Sequence, residues 1–542
     1  MGSDRKDKHE EWRKRVIVIA DQVDSELEEE NGMIQRARDP KMCHHGARSK
    51  CTHCLPIDPY DESYLAQKEI KHMSFHAFVR KTKDADMKGG SSKARYPLEN
   101  IKCRVKPDCK YHPPYPTAVC AKCQPDPVTL NRQRYRHVDN INFDNPMLVN
   151  QFLDFWRKSG HQRVGFLIGK YEAYSDAPLG IRAVVSAIYE PPQFSTDTSV
   201  QLYPDAEDTA VDDLCSALGL RRVGWIFTDL TPEEGLAVKC TRSPESFLVS
   251  AEECITAGWL QCRFPNVCRL AEEGYFGSKF VTVVVTGDME NQVHISGYQV
   301  SNQCAALVRD DWLVPVADAP EFAYVRDDKK CVPDVKYMEK DKYGNQVTKE
   351  GRPLPVEYLL VDVPAGMPKD QSKHTFRSTA FPIENREALS ELQNLDALRA
   401  ACRRHLAGGG GEQLSLFSDF HLLLFLLTNP TCPMSLDGMK SLLDAVKAED
   451  VEQVSLWLKN SPDWATLEHL MMSQEVSGSG SAAASSVTAS NGLPPSLQSA
   501  VQQADIQEIP VAATAPWPCQ HCTFENAALN RDCDMCGLPK QH

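Results

Sequence analysis

Trp517-Pro518-Cys519-Gln520-His521-Cys522-Thr523-Phe524-Glu525-Asn526 and, six residues later, Cys533-Asp534-Met535-Cys536 set a W-x-C-x2-C-x3-N-x6-C-x2-C pattern. Two knuckles with ten residues between them can close four thiolates, Cys519, Cys522, Cys533 and Cys536, tetrahedrally around one zinc ion. A segment this short has too little core to fold alone, so the metal must supply much of the folding free energy. Thr523, Phe524 and Met535 are not needed as ligands and stay free on a small rigid knob. A Thr methyl, a Phe ring and a Met thioether form a small apolar patch that can cover a similar patch on a folded protein.

Outward from this segment, 542 residues leave room for about three or four domains. Hydrophobic residues at 42% and charged residues at 25% are ordinary for a globular chain. The formal net charge of −14 argues against a general nucleic-acid binder. No signal-peptide pattern stands out, and no apolar run is long enough to cross a bilayer. The strongest, Leu422 to Leu427, looks like a buried helix. Twenty cysteines without a secretory signal point to zinc rather than disulfides. Eleven of them fall in three tight clusters, and the other nine are expected to be small buried residues.

The chain divides by composition. Residues 1–35 are a charged segment, and 36–130 form a proline-rich region with two zinc sites. Residues 131–330 alternate strand-like and helix-like patterns, with strands expected at Arg163–Ile168, Ile181–Tyr189, Val223–Phe227 and Phe280–Thr286. Residues 331–472 are extended at first and then largely helical, with apolar spacing through Phe417, Phe420, Leu423, Leu427, Met439, Leu442, Leu443 and Val446. Residues 473–515 are rich in Ser, Ala and Gly and predict a flexible tether. Residues 516–542 carry the terminal finger.

The first zinc cluster is Cys43-His44-His45-Gly46 with Cys51-Thr52-His53-Cys54. Cys51 and Cys54 form the knuckle, Cys43 is the third thiolate, and His44, His45 and His53 compete for the fourth place. His45 is favoured, because Gly46 gives a tight turn back to the metal. The second cluster offers Cys103, Cys109, His112, Cys120 and Cys123 for four places, with Cys120 and Cys123 as its knuckle. A closed four-ligand site has no position for water, so both clusters read as structural. Lys102, Arg104, Lys106, Lys110 and Lys122 around the second make either a solvated face or a docking patch for an acidic partner.

The terminal finger resembles the NZF branch of the RanBP2-type zinc fingers. There Trp opens the module, Asn braces it, and Thr-Phe with an apolar residue between the last two cysteines marks the ubiquitin-binding members. Cys43–Cys54, Lys71-His72-Met73-Ser74-Phe75-His76, Cys103–Cys123 and Tyr135-Arg136-His137-Val138-Asp139-Asn140 together resemble the nuclear protein localisation protein 4 family. Gly224-Trp225-Ile226-Phe227-Thr228-Asp229-Leu230 and Gly297-Tyr298-Gln299-Val300-Ser301-Asn302-Gln303 add to the likeness, which runs from about Arg36 to the C-terminus. The resemblance implies an α+β multidomain protein. Its parts are a zinc-stapled loop region, an inactive MPN domain (α/β, JAMM-like), a mostly helical C-terminal domain and the small NZF finger.

In MPN metalloproteases a Glu is followed by Gly-Trp, then His-Ser/Thr-His-Pro, with a later Asp. Two His and the Asp hold zinc, and the Glu acts as general base. Phe227, Thr228, Asp229 and Leu230 stand at the matching positions here, and Phe cannot ligate a metal. The resemblance therefore implies a non-enzymatic receptor with three structural zincs and no catalytic residue. Its partners would be ubiquitin and polyubiquitin, the valosin-containing AAA ATPase and, in a heterodimer, the ubiquitin fusion degradation protein. It would deliver polyubiquitinated proteins for unfolding and proteasomal degradation, including ER-associated degradation. It would work in the cytoplasm and nucleus and peripherally at the endoplasmic reticulum, without nucleic acid or membrane insertion. The family begins with a ubiquitin-like domain, and the 42 residues before Cys43 are too few and too charged for that fold. Either the chain is truncated or this form lacks that contact, and weaker docking on the ATPase with stronger dependence on the partner is the expectation. A zinc deubiquitinase and a zinc-finger RNA binder are the competing classes. Phe227 counts against the first, and the acidic balance and Thr523-Phe524 count against the second, for which salt-dependent RNA retention is the discriminator.

Overall fold

The β-branched run at 280–286 forms a strand, Val281–Gly287, buried on both faces. Val281, Val283 and Val285 point into one apolar cluster and Val284 into the other, as the period of two requires. Parallel pairing on one side and a helix-covered face explain why the run is continuous rather than alternating.

The computed structural model describes residues 21–46, 49–88, 98–103, 109, 120, 123, 128–233, 237–326, 334–340, 343–367, 374–377, 381–406, 410–478, 517–518 and 525–526. The chain separates into two compact units, residues 1–475 and 476–542.

The first unit is a mixed α/β structure around an eight-stranded sheet. In chain order its strands are β1 (Asn140–Phe143), β2 (Val164–Tyr174), β3 (Gly180–Tyr189), β4 (Arg221–Asp229), β5 (Val281–Gly287), β6 (Val293–Val300), β7 (Leu360–Val363) and β8 (Ala365–Gly366). Their spatial order is β7-β6-β5-β4-β2-β3-β1-β8. The two edge strands are separated in sequence only by Pro364, so one bent segment pairs with β6 on one side and β1 on the other and closes the sheet on itself. The Pro364 carbonyl accepts the Ile141 amide at 2.8 Å, and its missing N–H costs nothing at the bend.

Three helices lie on the sheet, α1 (Pro146–Ser159), α2 (Asp208–Leu218) and α3 (Ala251–Arg263), and α4 (Asn302–Arg309) packs against α3. Six more follow: α5 (Leu395–His405), α6 (Gly410–Phe417), α7 (Phe420–Thr428), α8 (Leu436–Ala448), α9 (Val451–Asn460) and α10 (Pro462–Gly478). One apolar cluster runs from Phe166, Trp225 and Val284 on the sheet, through Val211 and Leu214 of α2, to Leu423, Leu442 and Trp464. The run Leu422–Leu426 is fully enclosed within it. No helix among the described residues is long and apolar enough to cross a membrane.

The charged N-terminal segment holds more structure than its composition predicts. A helix, Gln22–Glu29, packs Val23 and Leu27 against Leu179 and Ile181. Its Asp24 is buried and bound to His76 Nε2 at 2.9 Å and to Lys279. Of the scattered cysteines, Cys215, Cys254, Cys268, Cys304 and Cys402 are buried, and Cys240, Cys262 and Cys432 are half-buried.

His137 sits just before β1, 2% exposed, with neither ring nitrogen hydrogen-bonded. Phe75 covers one side at 4.5 Å between ring centroids. Gly277, at φ +61°, also abuts the ring, and an added Cβ there would lie 2.0 Å from His137 Nε2. Burial holds the imidazole neutral and pushes its pKa from 6.5 down to about 3. The unfolded chain therefore takes up this proton first. Its contribution to stability is complete above about pH 6.5 and is lost as the pH falls towards 3, by up to about 5 kcal/mol. Denaturant unfolding at pH 7.5 and pH 5.0 should show a steeper acid loss in the wild type than in His137→Leu. Zinc release at low pH is common to both proteins, so equal slopes would rule this account out.

Candidate metal centres

The first centre is built by two turns. The Cys43 amide donates to the Asp39 carbonyl at 2.8 Å, which folds Cys43 back towards the second turn. There the Cys54 and Leu55 amides donate to the Cys51 carbonyl at 3.1 and 2.8 Å, forming the knuckle. Arg36 fastens the knuckle through the Thr52 and Leu55 carbonyls, and Arg38 reaches the His45 carbonyl. Ile34 and Ile57 bridge the two ends of the segment.

These turns bring Cys43, His45, Cys51 and Cys54 together, with their ligand atoms all within 4.8 Å of one another. Cys51 Sγ lies 3.6 Å from Cys43 Sγ and 3.9 Å from Cys54 Sγ. A tetrahedron with zinc–sulfur bonds of about 2.3 Å has edges of about 3.8 Å, so the cage has the size zinc requires. His45 Nδ1 donates to the Gly46 carbonyl at 3.0 Å, which turns Nε2 inward, 3.2 Å from Cys54 Sγ. A carbonyl partner of this kind fixes the tautomer of a metal-binding imidazole. His44 and His53 stay exposed and outside the group. Burial would raise the Cys51 thiol, but the amides of His53 and Cys54 and the neighbouring thiols outweigh it and bring it down to about 6. That favours the thiolate a metal needs.

The second centre repeats the knuckle. The Cys123 amide donates to the Cys120 carbonyl at 3.0 Å, and the Cys120 amide donates to Cys123 Sγ at 3.2 Å. Cys109 Sγ is 3.6 Å from Cys120 Sγ, and the three sulfurs form one group. Cys103 is not brought to it. Its amide donates to Asp310 at 2.9 Å beyond α4, its side chain joins the apolar core, and burial pushes its thiol up to about 12. A fixed backbone partner thus places Cys103 elsewhere, which spacing alone could not reveal. His112, the remaining candidate, and the basic Arg104, Lys106, Lys110 and Lys122 lie outside the described residues. Lys102 pairs with Glu273 at 3.0 Å.

In the terminal unit Trp517 pairs with Asn526 and Pro518 with Glu525 in an antiparallel ladder. Cys519, Cys522, Cys533, Cys536, Thr523, Phe524 and Met535 lie outside the described residues.

A different arrangement occupies the end of β4. Phe227 and Asp229 alternate onto one face of the strand. Arg242, which no motif signalled, lies against both. Its Nε donates to Asp229 Oδ2 at 2.7 Å, and its terminal nitrogens donate to the Glu253 carboxylate at 2.6 and 2.7 Å. Its guanidinium carbon is 5.6 Å from the Phe227 ring centroid. Glu253 is held in turn by the capping box of α3, with the Ser250 amide donating to it at 2.8 Å. His294 shares the cross-strand row of Asp229 through Thr286, two strands and about 10 Å away. His161 is exposed.

A sequence model of the NPL4 family matches residues 163–472, and a second, described as that family's proposed zinc binding region, matches residues 18–160. The chain belongs to the NPL4 family. It is 46% identical over 532 residues to a nuclear protein localization protein 4 homolog of Rattus norvegicus, covering 96% of this chain and 83% of that one. The Drosophila melanogaster homolog is 47% identical over 533 residues, covering 96% and 78%. Nuclear protein localization protein 4 of Saccharomyces cerevisiae is 37% identical over 468 residues, covering 84% and 80%. The Cys43–Cys54 centre and the Cys109–Cys123 group both fall inside the segment that matches the zinc binding region. These relatives are named for protein localization and not as enzymes.

Proposed function

We propose that this NPL4-family protein is a non-enzymatic ubiquitin receptor that recruits substrates to the valosin-containing AAA ATPase. It acts with the ubiquitin fusion degradation protein and delivers polyubiquitinated proteins for unfolding and proteasomal degradation, including those drawn from the endoplasmic reticulum membrane. It works in the cytoplasm and nucleus, held only peripherally at that membrane. The closed sheet with α1–α4 is an MPN domain that has lost its catalytic metal. The helices α5–α10 form a second receptor domain, and the terminal finger is an NZF module with its own structural zinc. The observation that carries the reading is at the end of β4, where Phe227 and an arginine-bound Asp229 stand in place of two metal-binding histidines. A peptidase fold without its metal retains a surface shaped for its former substrate; this step is an analogy between folds.

The finger contributes a small interface, so one contact binds weakly and a chain of ubiquitins is held through several sites at once. Phe524 is the largest apolar side chain of the patch formed with Thr523 and Met535. Thr523→Ala with Phe524→Ala should cost about 2 kcal/mol, or roughly thirtyfold in ubiquitin affinity of the finger. Its zinc content should not change, because neither residue is a ligand. Titration of labelled polyubiquitin against both proteins tests this, and unchanged binding by the finger would refute the assignment.

A further inference from the structure

We infer that Arg242 is a resident cation at the position where an MPN peptidase holds its metal, and that it closes the site to zinc. This rests on the MPN reading of β4. A metal bound from positions 227 and 229 would lie above the face those two side chains share. The guanidinium lies on that face, touching Asp229 through Nε at 2.7 Å and facing the Phe227 ring at 5.6 Å. Nη1 also donates to the Leu248 carbonyl at 3.0 Å, and the Phe247 ring covers the guanidinium at 5.2 Å. Four of its five N–H groups have acceptors, and the side chain is 5% exposed.

The donor set does not fit zinc. Phe227 offers no lone pair, and the carboxylates of Asp229 and Glu253 are both spent on Arg242. Zinc would have to displace the arginine or sit against its positive charge. A guanidinium cannot lose its proton in a protein, so it cannot yield the site at any working pH. The ion pairs also join β4, the 241–250 loop and α3, so the cation now does the cross-linking that a metal would do. Loss of one histidine alone would leave a weakened metal site, whereas the arginine removes it.

Two proteins separate the possibilities. Phe227→His restores a metal-binding side chain and leaves Arg242 in place. Phe227→His with Arg242→Ala also frees Asp229 and Glu253, giving one histidine and two carboxylates, the donor types of catalytic zinc sites. Zinc per chain is measured by elemental mass spectrometry after extensive dialysis, with the wild type as baseline. We expect no gain in the single variant and one additional zinc in the double. A gain in the single variant would overturn the role of Arg242 while leaving the MPN reading intact. A double variant that folds, retains the wild-type zinc and gains none would overturn the MPN geometry and this inference with it. Arg242→Gln in the same background keeps hydrogen-bond donors without the charge. It replaces the alanine variant if that protein does not fold, and the same two outcomes apply.

Discussion

Glu190→Ala is expected to destabilise the protein by about 3–5 kcal/mol, because it takes the close carboxylate partner from two buried guanidinium groups. Glu190 is completely buried at the end of β3, with Arg163 1% and Arg386 3% exposed. Arg163 Nε donates to its Oε2 at 2.7 Å, Arg386 Nε to the same oxygen at 3.0 Å, and a terminal nitrogen of Arg386 to Oε1. Burial would raise the Glu190 carboxyl, but the two arginines outweigh it and hold it below the usual carboxylate range. Arg386 also donates to the Gln151 carbonyl at 2.9 Å, so the carboxylate ties β3, α1 and the segment before α5 into one unit. Removing it leaves buried Arg163 without its carboxylate and Arg386 with only the longer contact to Glu391 at 3.6 Å. Replacing all three residues by apolar ones should cost less than the single change, since no charge is then left buried. Urea unfolding followed by tryptophan fluorescence measures both, and a loss below about 1 kcal/mol for Glu190→Ala would sink the account.

Cys51→Ser is expected to remove one zinc per chain and to unfold the segment between Ile34 and Ile57, while the closed sheet remains folded. Cys51 Sγ lies 3.6 Å from Cys43 Sγ and 3.9 Å from Cys54 Sγ, so its loss opens two edges of the cage. Structural zinc contributes about 10–16 kcal/mol of apparent binding free energy in isolated fingers, far more than a few short turns can supply. The apolar clusters around β1–β8 do not include this segment, which explains why the effect should stay local. Hydrogen exchange should show faster exchange of the Cys43, Cys54 and Leu55 amides, with β5 unchanged. Unaltered zinc content in Cys51→Ser would mean that this cluster does not hold the metal.

Much of the architecture was legible in the residues because it is local. Strands expected at Arg163–Ile168, Ile181–Tyr189, Val223–Phe227 and Phe280–Thr286 correspond to β2, β3, β4 and β5. Their β-branched, doubly apolar runs leave few alternatives once both faces are buried. The apolar spacing from Phe417 to Val446 likewise falls on helices α6, α7 and α8. The expected range for β2 is shorter than the strand, which continues past Ile168 into the more exposed Lys170–Tyr174, where the buried apolar run ends. The Cys51–Cys54 and Cys120–Cys123 knuckles were visible for the same local reason, since two residues between cysteines suit a single turn.

By itself the sequence determined the ligand chemistry, the strand and helix types and the absence of a ligating side chain at Phe227. These depend on residue identity and on spacings of a few residues. Only the tertiary structure decided which histidine meets Cys54, that Cys103 leaves its cluster for Asp310, that Pro364 closes the sheet, and that Arg242 lies across Asp229 and Phe227. Each joins residues whose separation in the chain carries no period. What holds them is burial: a charge or polar group removed from water must find a partner wherever the fold supplies one.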